Sequence, residues 1–212
     1  MKKLVLLLLS VFLFQSCIDI KETITMNADG SGNIELLVNM GKYSKTLNQQ
    51  NQKFDLSFVD QIKHTPVEAP ILLKSCKGIS NIKTQAEDEK GIYSVQFDFK
   101  NTKSLNKAIY ALFKQKKSTV MPNFIKVSKQ KLHRINFAPF INKYMPSDSN
   151  NMMSDLFFQF INFESTYNFP RKVNKVSNTK AVVKNDGKTV ILNYSLYDLL
   201  KSNFDYGITV KY

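Results

Sequence analysis

The chain has 212 residues, of which 43% are hydrophobic and 22% charged, and its formal net charge is +13. It contains only two histidines and two cysteines, so the sequence predicts no zinc site and no metal or other cofactor. Only Arg134 and Arg171 are arginines, which argues against nucleic acid as a partner because base and phosphate recognition favours the planar guanidinium.

The N-terminus, MKKLVLLLLSVFLFQSC, indicates export. Residues 4–14 are apolar except for Ser10, a run typical of a signal peptide and shorter than the roughly 18 residues that span a bilayer. Ser16-Cys17 resembles the lipobox of bacterial lipoproteins, which implies cleavage after residue 16 and acylation of Cys17. The alternative is an ordinary secreted protein with a free N-terminal cysteine.

The lipoprotein interpretation predicts a signal peptide over 1–16 and a single envelope domain over 17–212. The first strand begins at Ile18, so the domain lacks a flexible stalk and should lie against the membrane that holds its lipid. Ile18 stands where the inner-membrane retention signal has aspartate, which favours the outer membrane. Cys76 then has no cysteine to pair with, and it is expected to be a small buried hydrophobe and not a reactive thiol.

The stretch MNADGSGNIE over 26–35 resembles the first half of a calcium-binding EF-hand loop. However, Val38 occupies the position of the bidentate glutamate. Apolar and polar residues alternate on both sides of the stretch, which predicts two strands and not two helices. Asp29-Gly30 and Gly32 are therefore interpreted as the turn of a β-hairpin, and calcium binding is not expected.

The next elements follow from apolar spacing and from proline. Leu56, Val59 and Ile62 predict a short helix that ends before Pro66 and Pro70. A second hairpin is predicted over 82–99, with a turn between Glu87 and Gly91. A helix is predicted to begin near Ser104 as its cap, with an apolar stripe over residues 105–113.

The C-terminal half is predicted to be rich in strands. Residues 121–137 form two strands about a polar turn, and 139–151 form a loop. Residues 155–169 fit either a helix or a strand. A hairpin about Asn185-Asp186-Gly187, a short helix capped by Ser195 and a terminal strand over 207–212 complete the chain.

This order of elements predicts an α+β fold with a largely antiparallel β-sheet, built from hairpins, and three or four packed helices. The lipobox, the Asp29-Gly30-Ser31-Gly32 turn, the segment Phe169–Val173 and the hairpin from Asn185 resemble the LppM-type envelope lipoproteins. The resemblance implies a partly barrel-like envelope domain, with lipid or glycolipid binding proposed for some members. It supplies no catalytic residue.

No enzyme is predicted. The glycines of residues 30–32 fit neither a nucleophile elbow nor a dinucleotide-binding loop. His133 is interpreted as a structural or surface residue. A hydrolase would need His133 to meet a carboxylate such as Asp155 or Glu164.

Residues 99–147 contain eleven basic residues and no acidic one. These are Lys100, Lys103, Lys107, Lys114, Lys116, Lys117, Lys126, Lys129, Lys131, Arg134 and Lys143. The segment predicts a surface for anionic lipid headgroups or an acidic envelope polymer, with a merely solvated face as the alternative.

The function predicted from the sequence is a non-enzymatic, membrane-anchored lipoprotein that binds a lipid or another apolar ligand near the membrane surface. The alternative is a protein interaction or assembly module of the envelope that has no ligand cavity.

Overall fold

The computed structural model describes residues 18–41, 57–118, 121–128, 130–139, 158–201 and 205–212. Cys17, Lys129, Lys143, Asp155 and most of the predicted loop over 139–151 lie outside these ranges.

The first hairpin is confirmed. Strand β1 (Ile18–Met26) pairs antiparallel with β2 (Gly32–Asn39). The Asp29 carboxylate accepts hydrogen bonds from the backbone N–H of Ser31 at 3.0 Å and from its hydroxyl at 2.6 Å. Gly30 has φ +84°, and a Cβ on Gly32 would lie 2.7 Å from Cζ of Phe99. The glycines of this stretch therefore serve the turn and its packing.

The second hairpin is also confirmed, as β3 (Ile79–Glu87) and β4 (Ile92–Phe99), and β4 buries every second residue from Tyr93 to Phe99. In a seven-stranded sheet the order is β3, β4, β2, β1, β7 (Ile161–Asn168), β10 (Thr189–Ser195) and β9 (Val182–Val183). All its pairings are antiparallel except that of β1 with β7. The ambiguous segment is thus a strand from Ile161 onward.

A smaller sheet contains four antiparallel strands. Their order is β5 (Ile125–Ser128), β6 (Lys131–Arg134), β11 (Ile208–Lys211) and β8 (Lys175–Val176). The two predicted strands about residues 128–131 and the terminal strand are confirmed. The described strands form two separate sheets, so the partly barrel-like shape implied by the resemblance is not seen in them.

The first predicted helix is present, but its predicted end before the two prolines was wrong. Helix α1 runs from Ser57 to Lys74 and contains both Pro66 and Pro70. Each proline removes one helical N–H donor, but Ala69 and Leu73 are fully buried in the core that lies beneath the helix. Tertiary packing therefore outweighs the local preference for a helix end.

Helix α2 (Thr102–Leu112) carries the predicted apolar stripe, but its cap is Asn101, whose side chain accepts a hydrogen bond from the N–H of Ser104. Helix α3 (Leu196–Lys201) begins as predicted, because the Ser195 hydroxyl accepts from the N–H of Asp198 at 2.9 Å. Within the described part of the chain, no helix is both long and apolar enough to span a membrane.

One hydrophobic cluster joins the two sheets. It contains Ile24 and Phe97 from the large sheet, Leu132 and Val210 from the small sheet, and Leu105 from α2. A second cluster surrounds Ile18 and Met40 at the start of β1. Hairpin-built sheets packed with helices confirm the predicted α+β class.

Candidate anion-binding groove

A groove of about 780 Å³ lies between α2 and the β5–β6 hairpin. Five lysines line it, and all five belong to the basic segment predicted from the sequence: Lys103, Lys107, Lys117, Lys126 and Lys131. The remaining lining residues include Thr102, Asn106, Ser118, Asn123, Ser128 and His133, and none is acidic.

The two walls of the groove are joined by Asn106, which is 2% exposed. Its side-chain amide donates to the carbonyls of Thr102 and Ile125, both at 2.7 Å. Its oxygen accepts from the N–H of Ile125 at 3.2 Å. Because Asn106 is on α2 and Ile125 is on β5, the two hydrogen bonds to Ile125 fix the distance between the helix and the hairpin. Asn106 stands beside Leu105 but is not a member of the predicted apolar stripe, so no pattern in the sequence indicated its role.

Lys117 is held at the rim. Its Nζ donates to the carbonyl of Met121 at 2.9 Å and to that of Ser118 at 3.2 Å, and lies 5.3 Å from the ring centroid of Tyr110. These contacts use two of its three donors and fix the position of its charge. The groove therefore has one fixed lysine and four exposed ones.

The exposed lysines of the groove carry charge that the described residues do not neutralise. The salt bridges found within the described ranges join Lys90 to Glu87, Lys114 to Glu68 and Arg134 to Glu22. None of these pairs involves a lysine of the groove. Several like charges around a concave surface produce a positive potential that attracts anions.

His133 lies on the outer face of β6, where its Nδ1 is 2.9 Å from the hydroxyl of Thr209. Glu164 lies on the outer face of the large sheet, because its neighbour Ser165 is buried on the inner face. The core between the two sheets separates His133 from Glu164, so the structure does not bring this pair together. Asp155 is outside the described residues.

Arg134 does not belong to the basic surface. It alternates with His133 along β6, points into the core and is 8% exposed. There it forms an ion pair with Glu22 and donates to the Tyr167 hydroxyl at 2.8 Å. Although burial opposes its charge, the Glu22 carboxylate raises the pKa of Arg134 above its ordinary value.

The other predicted basic residues are distributed around the groove. Lys100 and Lys116 are exposed but do not line it. Lys114 pairs with Glu68 on α1 at 2.8 Å. Cys76 is half-buried, and burial raises the pKa of its thiol, which lowers the reactive thiolate fraction.

A smaller pocket, about 320 Å³, lies against β1, β7 and β10. Its lining includes Asp19 and Glu164 as well as Lys21, so its mixed charge does not select for an anion. The larger groove, whose charged lining residues are all basic, is therefore the candidate functional site.

No protein-family model matches the chain, and no curated protein matches it. Among solved structures, the chain is similar to the folded domain of the LppM protein from Mycobacterium tuberculosis, determined by NMR. The TM-score is 0.43 and the sequence identity is 10%, over 94% of this chain and 92% of that chain.

Proposed function

We propose that the protein is a lipid-anchored protein of the bacterial envelope, with its anchor in the outer membrane, and that it binds rather than transforms its ligand. The ligand carries phosphate or carboxylate groups, as an anionic envelope lipid or an acidic envelope polymer does. The basic groove between α2 and the β5–β6 hairpin binds those groups.

One observation carries the proposal: five lysines converge on one groove that no carboxylate lines. Had the lysine-rich segment been only a solvated face, its charges would be expected to point in many directions and to pair with nearby acids. Each lysine near an anionic surface contributes up to roughly 1 kcal/mol, so four exposed lysines suffice for measurable binding.

That the charged residues of the groove are lysines and not arginines also indicates what kind of ligand it binds. An ammonium group is a flexible point charge, whereas arginine fixes the orientation of a phosphate through paired hydrogen bonds. A groove lined by lysine and lacking arginine therefore suits a ligand recognised by its charge and spacing.

The lipid anchor rests on Ser16-Cys17 and on the position of β1, which begins at Ile18. Two or more acyl chains hold a protein on a membrane stably, whereas one chain binds only reversibly. Metabolic labelling with a fatty acid should mark the native protein and should be lost in Cys17→Ala. Label that persists in Cys17→Ala would contradict the anchor.

The groove is tested with the mature chain, 17–212, carrying Cys17→Ser so that it is soluble without lipid. It is titrated with vesicles of neutral lipid, vesicles containing anionic lipid, and inorganic polyphosphate. Binding to an anionic probe that falls in Lys103→Gln/Lys107→Gln, but not in the control Lys83→Gln/Lys184→Gln, supports the proposal. Equal binding by both double variants would show that net charge alone is responsible.

A second candidate function is an interaction module of the envelope. It is favoured by Val67 and Ile71, which lie one turn apart on α1 and are 65% and 78% exposed. Retained binding of anionic probes by a Val67→Ser/Ile71→Ser variant, together with loss of a specific protein crosslink in cells, would support this second function.

A further inference from the structure

The outer face of the small sheet carries a row of lysines that the linear sequence does not reveal. Lys131 on β6 lies directly opposite Lys211 on β11, and Lys211 lies directly opposite Lys175 on β8. All three side chains are exposed, because they alternate with buried or partly buried residues of the core face. Two of them, Lys175 and Lys211, fall outside the basic segment of the sequence.

This arrangement is unfavourable in the isolated chain. Adjacent strands lie about 4.8 Å apart, and like charges directly opposite each other destabilise a sheet. The neighbouring row contains Lys126, His133 and Thr209, so it provides no carboxylate to compensate. An external anion bound along the face would remove the repulsion.

The row continues the groove. Lys131 lines the groove and is also the first member of the row, so the groove and the row share one side chain. Beyond Lys131, the positions of Lys211 and Lys175 extend the positive surface across two more strands, about 10 Å at the usual strand spacing. Together they form a track that is longer than a single phosphate group requires.

The track lies at the end of the fold opposite Ile18. The carbonyl of Gln130, beside Lys131, accepts from the N–H of Tyr212, whose ring is 4.5 Å from that of Phe169. Phe169 directly follows β7, whose last residue is in register with Thr25 near the end of β1. At about 3.3 Å per residue, the nine residues of β1 separate this end from Ile18 by roughly 25 to 30 Å.

We infer that the groove and the lysine row together bind a linear polymer with repeated anionic groups, at the end of the domain away from its lipid anchor. The inference rests on the proposed function and makes it more specific. A headgroup of the membrane that holds the anchor would be expected to meet lysines near Ile18, whereas a polymer extending from that membrane reaches the opposite end.

The test compares the mature Cys17→Ser chain with three double variants that remove two charges each. Lys175→Gln/Lys211→Gln alters the row, and Lys103→Gln/Lys107→Gln alters the groove. Lys83→Gln/Lys184→Gln is the control, with Lys83 on β3 and Lys184 directly after β9. The probes are triphosphate, long-chain polyphosphate and vesicles containing anionic lipid.

We expect the unaltered chain to bind long-chain polyphosphate more tightly than triphosphate, and both more tightly than the vesicles. The row variant should lose about tenfold or more in affinity for long-chain polyphosphate, since each lysine accounts for up to about fivefold. It should keep its affinity for triphosphate, which the groove alone accommodates. Without any polyanion, the row variant should also melt at a higher temperature than the unaltered chain, because the like-charge contacts are gone.

Equal affinity of the row variant and the control for long-chain polyphosphate would overturn the inference. If the groove variant still lost binding in that case, the proposed function would stand without its extension. Preference for vesicles, weakened by the row variant, would also overturn the inference and assign the row to a membrane. Failure of the unaltered chain to bind any of the three probes would contradict the proposed function itself.

Discussion

Arg134 and Glu22 form an ion pair that crosses from the small sheet to the large one. The Nη1 group of Arg134 on β6 contacts the Oε2 atom of Glu22 on β1, and the two side chains are only 9% and 14% exposed. The hydroxyl of Tyr167 and the ring of Phe137, whose centroid is 4.5 Å from the guanidinium carbon, complete the surroundings of Arg134. This pair and the shared hydrophobic cluster together hold the two sheets against each other.

Replacing Arg134 by methionine should destabilise the fold strongly. The variant keeps most of the side-chain volume but leaves the Glu22 carboxylate buried without its partner. Removing one member of a buried pair typically costs about 3 to 5 kcal/mol. The free energy of unfolding, measured by urea titration of the mature Cys17→Ser chain, should fall by that amount.

The control for this prediction is the double variant Arg134→Met/Glu22→Leu. With both charges absent, no uncompensated charge is left in the core, and stability should recover substantially relative to Arg134→Met alone. A double variant as unstable as the single one would show that Arg134 acts through packing and not through its charge.

Asn106→Ala should affect both stability and binding. The substitution removes the two hydrogen bonds that join α2 to β5, together with the one to Thr102 within α2, and leaves the backbone groups of Ile125 without the side chain that satisfies them. Leaving buried polar groups unsatisfied costs about 1 to 3 kcal/mol each. We expect a lower free energy of unfolding and weaker binding of polyphosphate, although Asn106 carries no charge.

A comparison with Asn101→Ala separates the two effects of Asn106. Asn101 caps α2 and does not line the groove, so its loss should weaken the helix by about 1 kcal/mol and change binding much less. If Asn106→Ala bound polyphosphate as tightly as the unaltered chain, the walls of the groove would not depend on this side chain.

The sequence predicted those features that depend on local alternation. Val95 and Phe97 alternate with polar residues, as do Ile24 and Ile34, and each such run became a strand with the expected buried face. The groove was predicted only as a basic segment, because its lysines are close in the chain. Which of them converge depends on how α2 packs against β5, and no local pattern determines that packing.

Two errors have specific physical causes. Arg134 was assigned to the surface by its charge, but alternation along β6 turns it inward, where Glu22 from a distant strand offsets the cost of burial. Lys175 and Lys211 were not recognised as part of a basic surface because they become neighbours only through the register of β8, β11 and β6.

Pro70→Ala should stabilise the protein. Pro70 lies inside α1, where it has no N–H to donate to the carbonyl of Pro66, and its side chain is exposed. Alanine would restore the hydrogen bond. Removing a proline from a helix interior stabilises the folded chain by up to about 3 kcal/mol, whereas the greater freedom of the unfolded chain costs only about 1 kcal/mol. Thermal and urea unfolding should both show the increase.

Pro122→Ala is the matched control, since Pro122 is exposed and lies outside the helices and strands. It should bring no gain. Equal or lower stability of Pro70→Ala would indicate that the proline is needed for the path that α1 follows over the core.

Asp29 should make stability depend on pH on the acid side. Hydrogen bonds from the Ser31 hydroxyl and the Ser31 backbone N–H lower the pKa of Asp29 below the ordinary aspartate value of about 4. Because the pKa is lower in the folded chain than in the unfolded one, the stabilisation is complete above the unfolded pKa. It is lost as the pH falls through the folded pKa.

The melting temperature of the mature Cys17→Ser chain should therefore exceed that of Asp29→Ala at neutral pH, and the difference should shrink on acidification below about pH 4. Calcium should change neither melting temperature, because Asp29 is bonded within a turn between two strands. A rise with calcium in the unaltered chain that is absent from Asp29→Ala would instead show that the turn binds the ion. A constant difference at all pH values would show that the turn depends on the shape of Asp29 and not on its charge.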